Sequence, residues 1–210
     1  ECTETSPDGT IVHYKGTDEK PIAFENGEVT SCDECTETSP DGTILHYKGT
    51  DENPITFDVN RRVTSCNEFI KTMPDGTAIN FKGTDDNPVT LDEDGKIASC
   101  DTCTLTLPDG TKFHFKGNVK HENGEIPSCD EYTIIDPDGT TVQFKGNVKI
   151  ENGAITSCDE YIDGKEGMIY KAKPGKQIHF NRGRYFYTRN TFWDYWKNGV
   201  FNKNFTKTRS

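Results

Sequence analysis

The chain repeats one short phrase, and this repetition constrains its fold more than any other feature of the sequence. A Ser-Cys pair recurs, with its cysteine at positions 32, 66, 100, 129 and 158. Nine positions after each of the first four cysteines comes the aspartate of a Pro-Asp-Gly, and seven positions later the lysine of a Lys-Gly. Only the segment between Lys-Gly and the next Ser-Cys varies in length. A constant block with one variable loop is typical of tandem repeats, whose copies bury their apolar faces against each other.

The phrase predicts β-hairpins. Pro7 suits the second position of a type I turn, and Gly9 can adopt the left-handed backbone that closes a hairpin with a bulge. The residues after the turn alternate with the period of a half-buried strand. Its apolar position holds Val12, Leu45, Ile79, Phe113 and Val142. Its aromatic position holds Tyr14, Tyr47, Phe81, Phe115 and Phe144. The polar position between them holds His13, His46, Asn80, His114 and Gln143.

A second hairpin follows in each repeat, with Ile22 and Phe24 before the first Asn-Gly turn and Val29 after it. One repeat cannot fold alone, because burying four or five side chains contributes roughly 6–15 kcal/mol. Ordering about 30 residues costs on the order of 45 kcal/mol. The sequence therefore predicts an all-β fold, an elongated tandem array of β-hairpins with a distinct C-terminal cap. The array is either a single-layer meander or a β-solenoid, and the hairpin turns favour the meander.

Three elements of the phrase carry a family resemblance: "PDGT", an aromatic residue before Lys-Gly ("HYKG", "QFKG"), and a downstream Asn-Gly. Over residues 1–160 the chain resembles MORN-type repeats. That resemblance implies successive β-hairpins in a long, twisted single sheet. It also implies the scaffolding and membrane-association roles of that family.

Composition divides the chain near residue 160. Hydrophobic residues make up 31%, which is low for a globular domain and favours a thin core. Residues 1–160, five repeats of about 29–34 residues, carry a net charge of −19, whereas residues 161–210 carry +8 and 12 of the 22 aromatic residues. No stretch approaches the roughly 18 apolar residues of a membrane helix, so no transmembrane segment is predicted.

Because the chain opens at Glu1, in the middle of the repeated phrase, we expect a processed form or a fragment.

Eight cysteines occupy two positions of the repeat. The Ser-Cys position always holds cysteine. The position three residues later holds Cys35, Phe69, Cys103, Tyr132 and Tyr161, and Cys2 occupies it at the start of the chain. A position that also accepts Phe or Tyr is expected to be buried and apolar, and cysteine is small and soft enough to fill it.

The sequence leaves three interpretations of these cysteines open. Disulfides within repeats would join Cys2–Cys32, Cys35–Cys66 and Cys103–Cys129. Alternatively, reduced thiols pack side by side as a ladder, or the C-x-x-C pairs at 32/35 and 100/103 serve metal or redox chemistry. Disulfides would indicate a secreted or surface protein, because such bonds persist in oxidising compartments.

Other polar residues predict no catalytic, cofactor or metal site. The histidines at 13, 46 and 114 occupy equivalent outward positions and are interpreted as a solvated polar face. The acidic loops, such as "GTDENP", match no EF-hand and are interpreted as solvation and protection of strand edges. We therefore predict that the chain is not an enzyme and has no cofactor.

The C-terminal segment is the strongest candidate for partner binding. It interleaves basic and aromatic residues, and the candidates are Arg182, Arg184, Tyr185, Tyr187, Arg189, Trp193, Tyr195 and Trp196. Such residues suit a protein or glycan partner, and nucleic acid is a less favoured alternative. A terminal cap that covers the last repeat is the structural interpretation of the same segment. Its positive charge would also suit the acidic repeats of another copy.

These patterns predict a non-enzymatic elongated repeat protein, a secreted or surface structural or adhesive module. One alternative is an intracellular MORN-like scaffold or effector module with reduced cysteines. Another is a fibre subunit that assembles through its N-terminal edge.

Overall fold

The structure, a computed structural model, describes residues 1–17, 21–121, 126–151 and 154–180, together with the backbone of residues 205–209. These residues form β-strands, turns and loops, and none of them lies in a helix, which confirms the all-β prediction. Among them no helix is long and apolar enough to cross a membrane. The chain forms two compact units, Glu1–Asp109 (unit 1) and Gly110–Ser210 (unit 2).

Unit 1 is built from antiparallel strands in two series. Its strands are β1 (Cys2–Thr5), β2 (Ile11–Lys15), β3 (Ala23–Glu25), β4 (Glu28–Cys32), β5 (Glu34–Thr38), β6 (Ile44–Lys48), β7 (Ile55–Phe57), β8 (Val63–Cys66), β9 (Glu68–Thr72), β10 (Ala78–Lys82), β11 (Val89–Leu91) and β12 (Ile97–Thr106). The first series pairs in the order β1, β2, β5, β6, β9, β10, β12. The second series pairs in the order β3, β4, β7, β8, β11, β12. Each sequence repeat contributes one hairpin to each series.

The Pro-Asp-Gly turns form as predicted. The Ser6 N–H donates to the Thr10 carbonyl at 2.8 Å, and the Asp8 side chain accepts a hydrogen bond from the Thr10 N–H at 2.9 Å. Gly9 has a φ of 89°, in the left-handed region that glycine adopts without steric cost. The same N–H to carbonyl bond recurs from Ser39 to Thr43, from Met73 to Thr77 and from Asp136 to Thr140, and Gly110 of the remaining turn has a φ of 90°.

The Ser-Cys and Lys-Gly pairs keep their spacing because they meet in the structure. The Asp33 N–H, just after Ser-Cys, donates to the Lys15 carbonyl at 3.0 Å, and the Asp33 carbonyl accepts from the Gly49 N–H at 2.8 Å. Asn67 repeats this arrangement between Lys48 and Gly83. Asp33 and Asn67 interrupt the strand at the point where the chain passes from the second series to the first.

The second series bends over the buried face of the first within unit 1. Phe57 of β7 packs edge-on against Tyr14 of β2, with 6.2 Å between ring centroids. Arg61, in the turn that follows β7, forms an ion pair with Glu4 of β1. In a flat sheet, the two members of each of these pairs would lie far apart, because each residue adds about 3.3 Å along a strand. The sheet of this unit is therefore curled.

Unit 2 repeats the same hairpins, and its first three strands are longer than most strands of unit 1. They are β13 (Lys112–Lys120), β14 (Ser128–Ile135), β15 (Thr141–Glu151), β16 (Ala154–Cys158), β17 (Glu160–Asp163), β18 (Met168–Ala172), β19 (Ile178–His179) and β20 (Phe205–Arg209). The pairing order is β13, β14, β15, β17, β18, β20, while β16 pairs with β15 and β19. The compositional boundary near residue 160 and the five-repeat division stay predictions.

One row of side chains forms the centre of each core, and we call it the cysteine–aromatic row. In unit 1 successive register partners are Cys2, Tyr14, Cys35, Tyr47, Phe69, Phe81 and Cys103. In unit 2 they are Phe115, Tyr132, Phe144, Tyr161 and Tyr170. All are buried except Cys2, which is half-buried. This confirms that the position shared by Cys, Phe and Tyr is buried, and stacked neighbours such as Tyr47 and Phe69, 4.7 Å apart, add to the burial.

Candidate functional site

The outward face of the first series carries alternating charges, which we call the charge ladder. Along unit 1 the register partners are Lys15, Glu34, Lys48, Glu68 and Lys82. Along unit 2 they are Lys116, Glu131, Lys145, Glu160 and Lys171. The ladder arises because each lysine directly follows an aromatic of the buried row, so strand alternation turns it outward.

Cross-strand ion pairs hold the ladder together. The Lys15 Nζ lies 3.3 Å from Glu34 Oε2, and the Lys82 Nζ lies 3.1 Å from Glu68 Oε1. In unit 2 the Lys171 Nζ lies 2.8 Å from Glu160 Oε2. The Lys15 and Lys82 side chains are 54% and 56% exposed, whereas Glu34 and Glu68 are 28% and 21% exposed. In both pairs the lysine side chain is therefore the more exposed partner.

The sequence signal for the ladder was visible as a second constant position. A glutamate stands two residues after the cysteine of Ser-Cys at Glu34, Glu68, Glu131 and Glu160, and Thr102 takes its place once. The lysine served only to measure the spacing of the repeat, and the glutamate was not predicted. The contact between each lysine and its glutamate depends on which strands become neighbours in the sheet.

The outward histidines bond to their neighbours across the strands. His13 Nδ1 lies 2.9 Å from Thr3 Oγ1, and His46 Nδ1 lies 2.9 Å from Thr36 Oγ1. Burial, with a smaller contribution from Lys116, lowers the pKa of His114. Within the described ranges, no group of three or more His, Cys, Asp or Glu side chains is arranged to hold a metal ion. His13 is exposed, whereas His46 and His114 are half-buried, so the solvated polar face stays a prediction for the histidines.

All eight cysteines are free, and the predicted disulfides Cys2–Cys32, Cys35–Cys66 and Cys103–Cys129 are not formed. The register explains this correction. Cys35 lies between Tyr14 and Tyr47, whereas Cys66 lies opposite Val89 and Cys32 opposite Ile55. Cysteines therefore pair with aromatic and aliphatic residues across the strands rather than with each other.

Burial makes these thiols poor nucleophiles and poor metal ligands. It raises the pKa of Cys66 from 9.0 to about 12, with a further contribution from Glu68. Cys32, Cys100, Cys129 and Cys158 have their pKa raised to about 12 in the same way. Thiolate, the form that attacks electrophiles and binds metals, is therefore rare at neutral pH.

The acidic loops contact one another. The Asn53 side-chain amide donates to the Asp85 carbonyl at 3.0 Å, which ties the loop after Lys-Gly to the same loop one repeat on. A hydrogen bond shared with Asp85 raises the pKa of Glu52. These contacts give the loops a structural role in joining repeats.

A cleft of about 630 Å³ lies in unit 2, beside Asn147, Asp159, Lys173, Lys176 and Gln177. Asp159 accepts hydrogen bonds from Asn147 Nδ2 at 2.9 Å and from Gln177 Nε2 at 3.3 Å. The Asp159 carboxylate is therefore engaged by two neighbouring side chains of the cleft. The tail candidates Arg182, Arg184, Tyr185, Tyr187, Arg189, Trp193, Tyr195 and Trp196 lie outside the described residues.

No family model and no curated protein matches the chain. Solved structures similar to it include the wild-type TCP10 domain of Danio rerio CPAP, at 15% identity and a TM-score of 0.19. A point mutant of that domain (16%, 0.19) and the domain in complex with a peptide of Danio rerio STIL (15%, 0.18) are also similar. Each alignment covers 100% of this chain and 99% or more of the other chain. TM-scores this low do not establish a shared fold.

Proposed function

We propose that this chain is a non-enzymatic β-repeat scaffold that binds an acidic protein partner on the face of the charge ladder. The observation that carries the proposal is the regular row of lysines, all exposed except the half-buried Lys145, with partly covered glutamates between them. Such a surface offers little catalytic chemistry, since its histidines and carboxylates are engaged with neighbours. It offers instead a repeated electrostatic pattern, which favours recognition and correct register.

The spacing of the ladder indicates the shape of the partner. Neighbouring strands lie about 4.8 Å apart, so lysines on every second strand recur at roughly 10 Å. A polyproline II segment has three residues per turn and rises about 3.1 Å per residue, so every third residue recurs on one side at about the same distance. A segment in this conformation with a carboxylate at every third residue, laid across the strands, would therefore match successive lysines.

The free, buried cysteines support a compartment in which thiols stay reduced. Seven of the eight are buried among apolar side chains, where they act as small hydrophobic residues. The proposal thus favours the scaffold predicted from the MORN resemblance over the secreted, adhesive module, whose disulfides are not formed. The test is to count free thiols after denaturing the protein isolated from its natural source. Eight free thiols are expected, and two would contradict the proposal.

An elongated repeat array belongs to the same proposal. The register of the cysteine–aromatic row in each unit supports it, because one buried line runs through successive repeats. A compact chain of this length has a radius of gyration of about 17 Å. Solution scattering should give a clearly larger value, and a value near 17 Å would refute the array.

Partner binding is tested with a synthetic peptide, (Glu-Ser-Thr) repeated four times, and a peptide of equal composition with its glutamates clustered. Near 50 mM salt, the periodic peptide should bind more tightly. Lys48→Glu with Lys82→Glu should weaken binding by about tenfold, since each exposed pair contributes up to about 1 kcal/mol. Lys96→Glu, in an exposed turn, makes the same charge change as Lys48→Glu or Lys82→Glu alone, and it is the control matched to each of these single variants. Equal binding of both peptides would refute recognition by the ladder.

A further inference from the structure

Strand β20 occupies a position that in earlier repeats belongs to the next repeat. It pairs with β18 over five residues, from Met168 opposite Arg209 to Ala172 opposite Phe205. β18 carries Tyr170 and Lys171, the aromatic and lysine of the repeat, and it pairs on its other side with β17. The outer side of β18 is thus the place where a further Ser-Cys-x-Glu strand would lie.

Five earlier strands show what this place normally holds. Each faces the aromatic of the preceding strand with Cys, Phe or Tyr, and four of the five face its lysine with glutamate. The pairs of residues are Glu34–Cys35 in β5, Glu68–Phe69 in β9, Thr102–Cys103 in β12, Glu131–Tyr132 in β14 and Glu160–Tyr161 in β17.

β20 departs from this pattern at both positions. Lys207 stands opposite Tyr170, and Thr206 stands opposite Lys171. The register position opposite Lys171 therefore holds a residue without a carboxylate, and the position opposite Tyr170 holds a residue that is neither cysteine nor aromatic. β20 is also joined to the rest of unit 2 through 24 residues, 181–204. The other strands of its pairing order, β13, β14, β15, β17 and β18, each adjoin a tight turn. A long connection adds a loop-closure cost to its pairing.

We propose that β20 is an exchangeable strand, and that the outer edge of β18 accepts an extended segment of a partner protein with the pattern Glu-Phe or Glu-Tyr. Such a segment would donate main-chain hydrogen bonds to β18, place glutamate beside Lys171 and extend the buried row beyond Tyr170. This is recognition by strand addition, in which main-chain bonds provide affinity and alternate side chains provide specificity. It concerns an edge of unit 2 and does not depend on the acidic partner proposed above.

The hydrogen-bond pattern identifies which amides take part. The Ala172 N–H donates to the Asp159 carbonyl on the β17 side, so alternation directs the main-chain groups of Lys171 and Ile169 towards β20. The amides of Thr206 and Thr208 therefore face β18, and that of Lys207 faces away. In β9, where the Met73 N–H bonds to Thr77 of the hairpin partner, the Ile70 amide likewise faces the preceding repeat.

The test uses a fluorescent peptide with the sequence of residues 67–73, NEFIKTM, and the full chain. Thr208→Pro should release β20 and tighten peptide binding by at least tenfold, whereas Lys207→Pro, which removes an amide facing away, should change it less. Thr206→Glu with Lys207→Phe, which restores the repeat pattern in β20, should weaken peptide binding by at least tenfold and raise Tm. A peptide N-methylated at the Ile70 nitrogen should not bind, and one N-methylated at the Phe69 nitrogen should.

Circular dichroism of each variant confirms that the chain is folded. Peptide binding that is absent from the folded Thr208→Pro variant would overturn the proposal, as would equal binding to all variants. Self-association of Thr208→Pro that the peptide does not displace would identify a second copy as the occupant, and would also overturn it.

Discussion

Arg61, in the turn after β7, forms an ion pair with Glu4 of β1, and it does so from a left-handed backbone with a φ of 65°. The equivalent turn position of the next repeat is Gly95, with a φ of 74°. In both turns the amide of this residue bonds to the aspartate carbonyl three residues back, Asp58 or Asp92. Arg61 therefore combines an unfavourable backbone with a contact that joins the two strand series.

Replacement of Arg61 separates these two effects. Arg61→Ala keeps the left-handed strain and loses the ion pair, so it should destabilise the fold by about 0.5 kcal/mol, the scale of a half-exposed pair. Arg61→Gly also relieves strain of roughly 1 kcal/mol and should be neutral or stabilising. Urea unfolding measures both, with Glu4→Gln to complete a double-mutant cycle. If Arg61→Gly were less stable than Arg61→Ala, the strain argument would be wrong.

Cys35 should be far more sensitive to serine than Cys2. Cys35 is 1% exposed between two tyrosines, and a hydroxyl buried there without a hydrogen bond costs about 1–3 kcal/mol. Cys2 occupies the equivalent place in β1 but is half-buried, so Cys2→Ser should cost under about 0.5 kcal/mol. Urea unfolding under reducing conditions gives both values. Equal losses would show that the burial of the row does not determine its stability.

Alkaline pH should destabilise the fold through its buried thiols. Between pH 9 and 12 folded Cys66 keeps the proton that the unfolded chain releases, since its pKa is raised to about 12. Stability is therefore intact below pH 9 and falls as pH rises, by up to about 1.4 kcal/mol per pH unit for each such thiol. Cys66→Ala should lower stability at pH 7 but give a shallower decline above pH 9. An unchanged slope would contradict this assignment.

Glu37 should destabilise the fold at neutral pH. It lies between Val12 and Leu45 in the register, and burial raises the pKa of its carboxyl. The folded state then favours the protonated form, so Glu37→Gln should stabilise the protein at pH 7, and the gain should vanish as pH falls below the pKa of the unfolded chain. Exposed Glu25→Gln is the control. Thermal unfolding at pH 4 and pH 7 tests the prediction, which fails if the gain is equal at both.

Gly146 is required by space as well as by backbone geometry. A Cβ there would lie 2.5 Å from Asp159 Oδ2, and its φ is 71°, whereas Gly27, at 86°, has open space around it. Gly27→Ala should cost about 1 kcal/mol from the backbone alone. Gly146→Ala should cost at least about 1 kcal/mol more, because Asp159 must move and its bond to Asn147 weakens. Comparable losses in urea unfolding would show that Asp159 adapts freely.

Local chemistry made the turns and the strand alternation predictable. Pro7 and Gly9 specify their backbone conformations without reference to the rest of the chain, and the alternation around Tyr14 identifies the buried face. The exchange of cysteine with Phe and Tyr likewise predicted that Cys35 would be buried. The disulfides were wrong because sequence spacing does not show that Cys35 faces tyrosines on both neighbouring strands.

What the sequence by itself determined is the repeated hairpin and the division of each strand into a buried and an outward face, because turn residues and alternation act over a few positions. Only the tertiary structure decided which strands become neighbours, and with them the charge ladder, the contact of Arg61 with Glu4 and the pairing of β20 with β18. These depend on register between segments far apart in sequence. A shift of one residue would leave every local pattern intact while exchanging the two faces of the sheet.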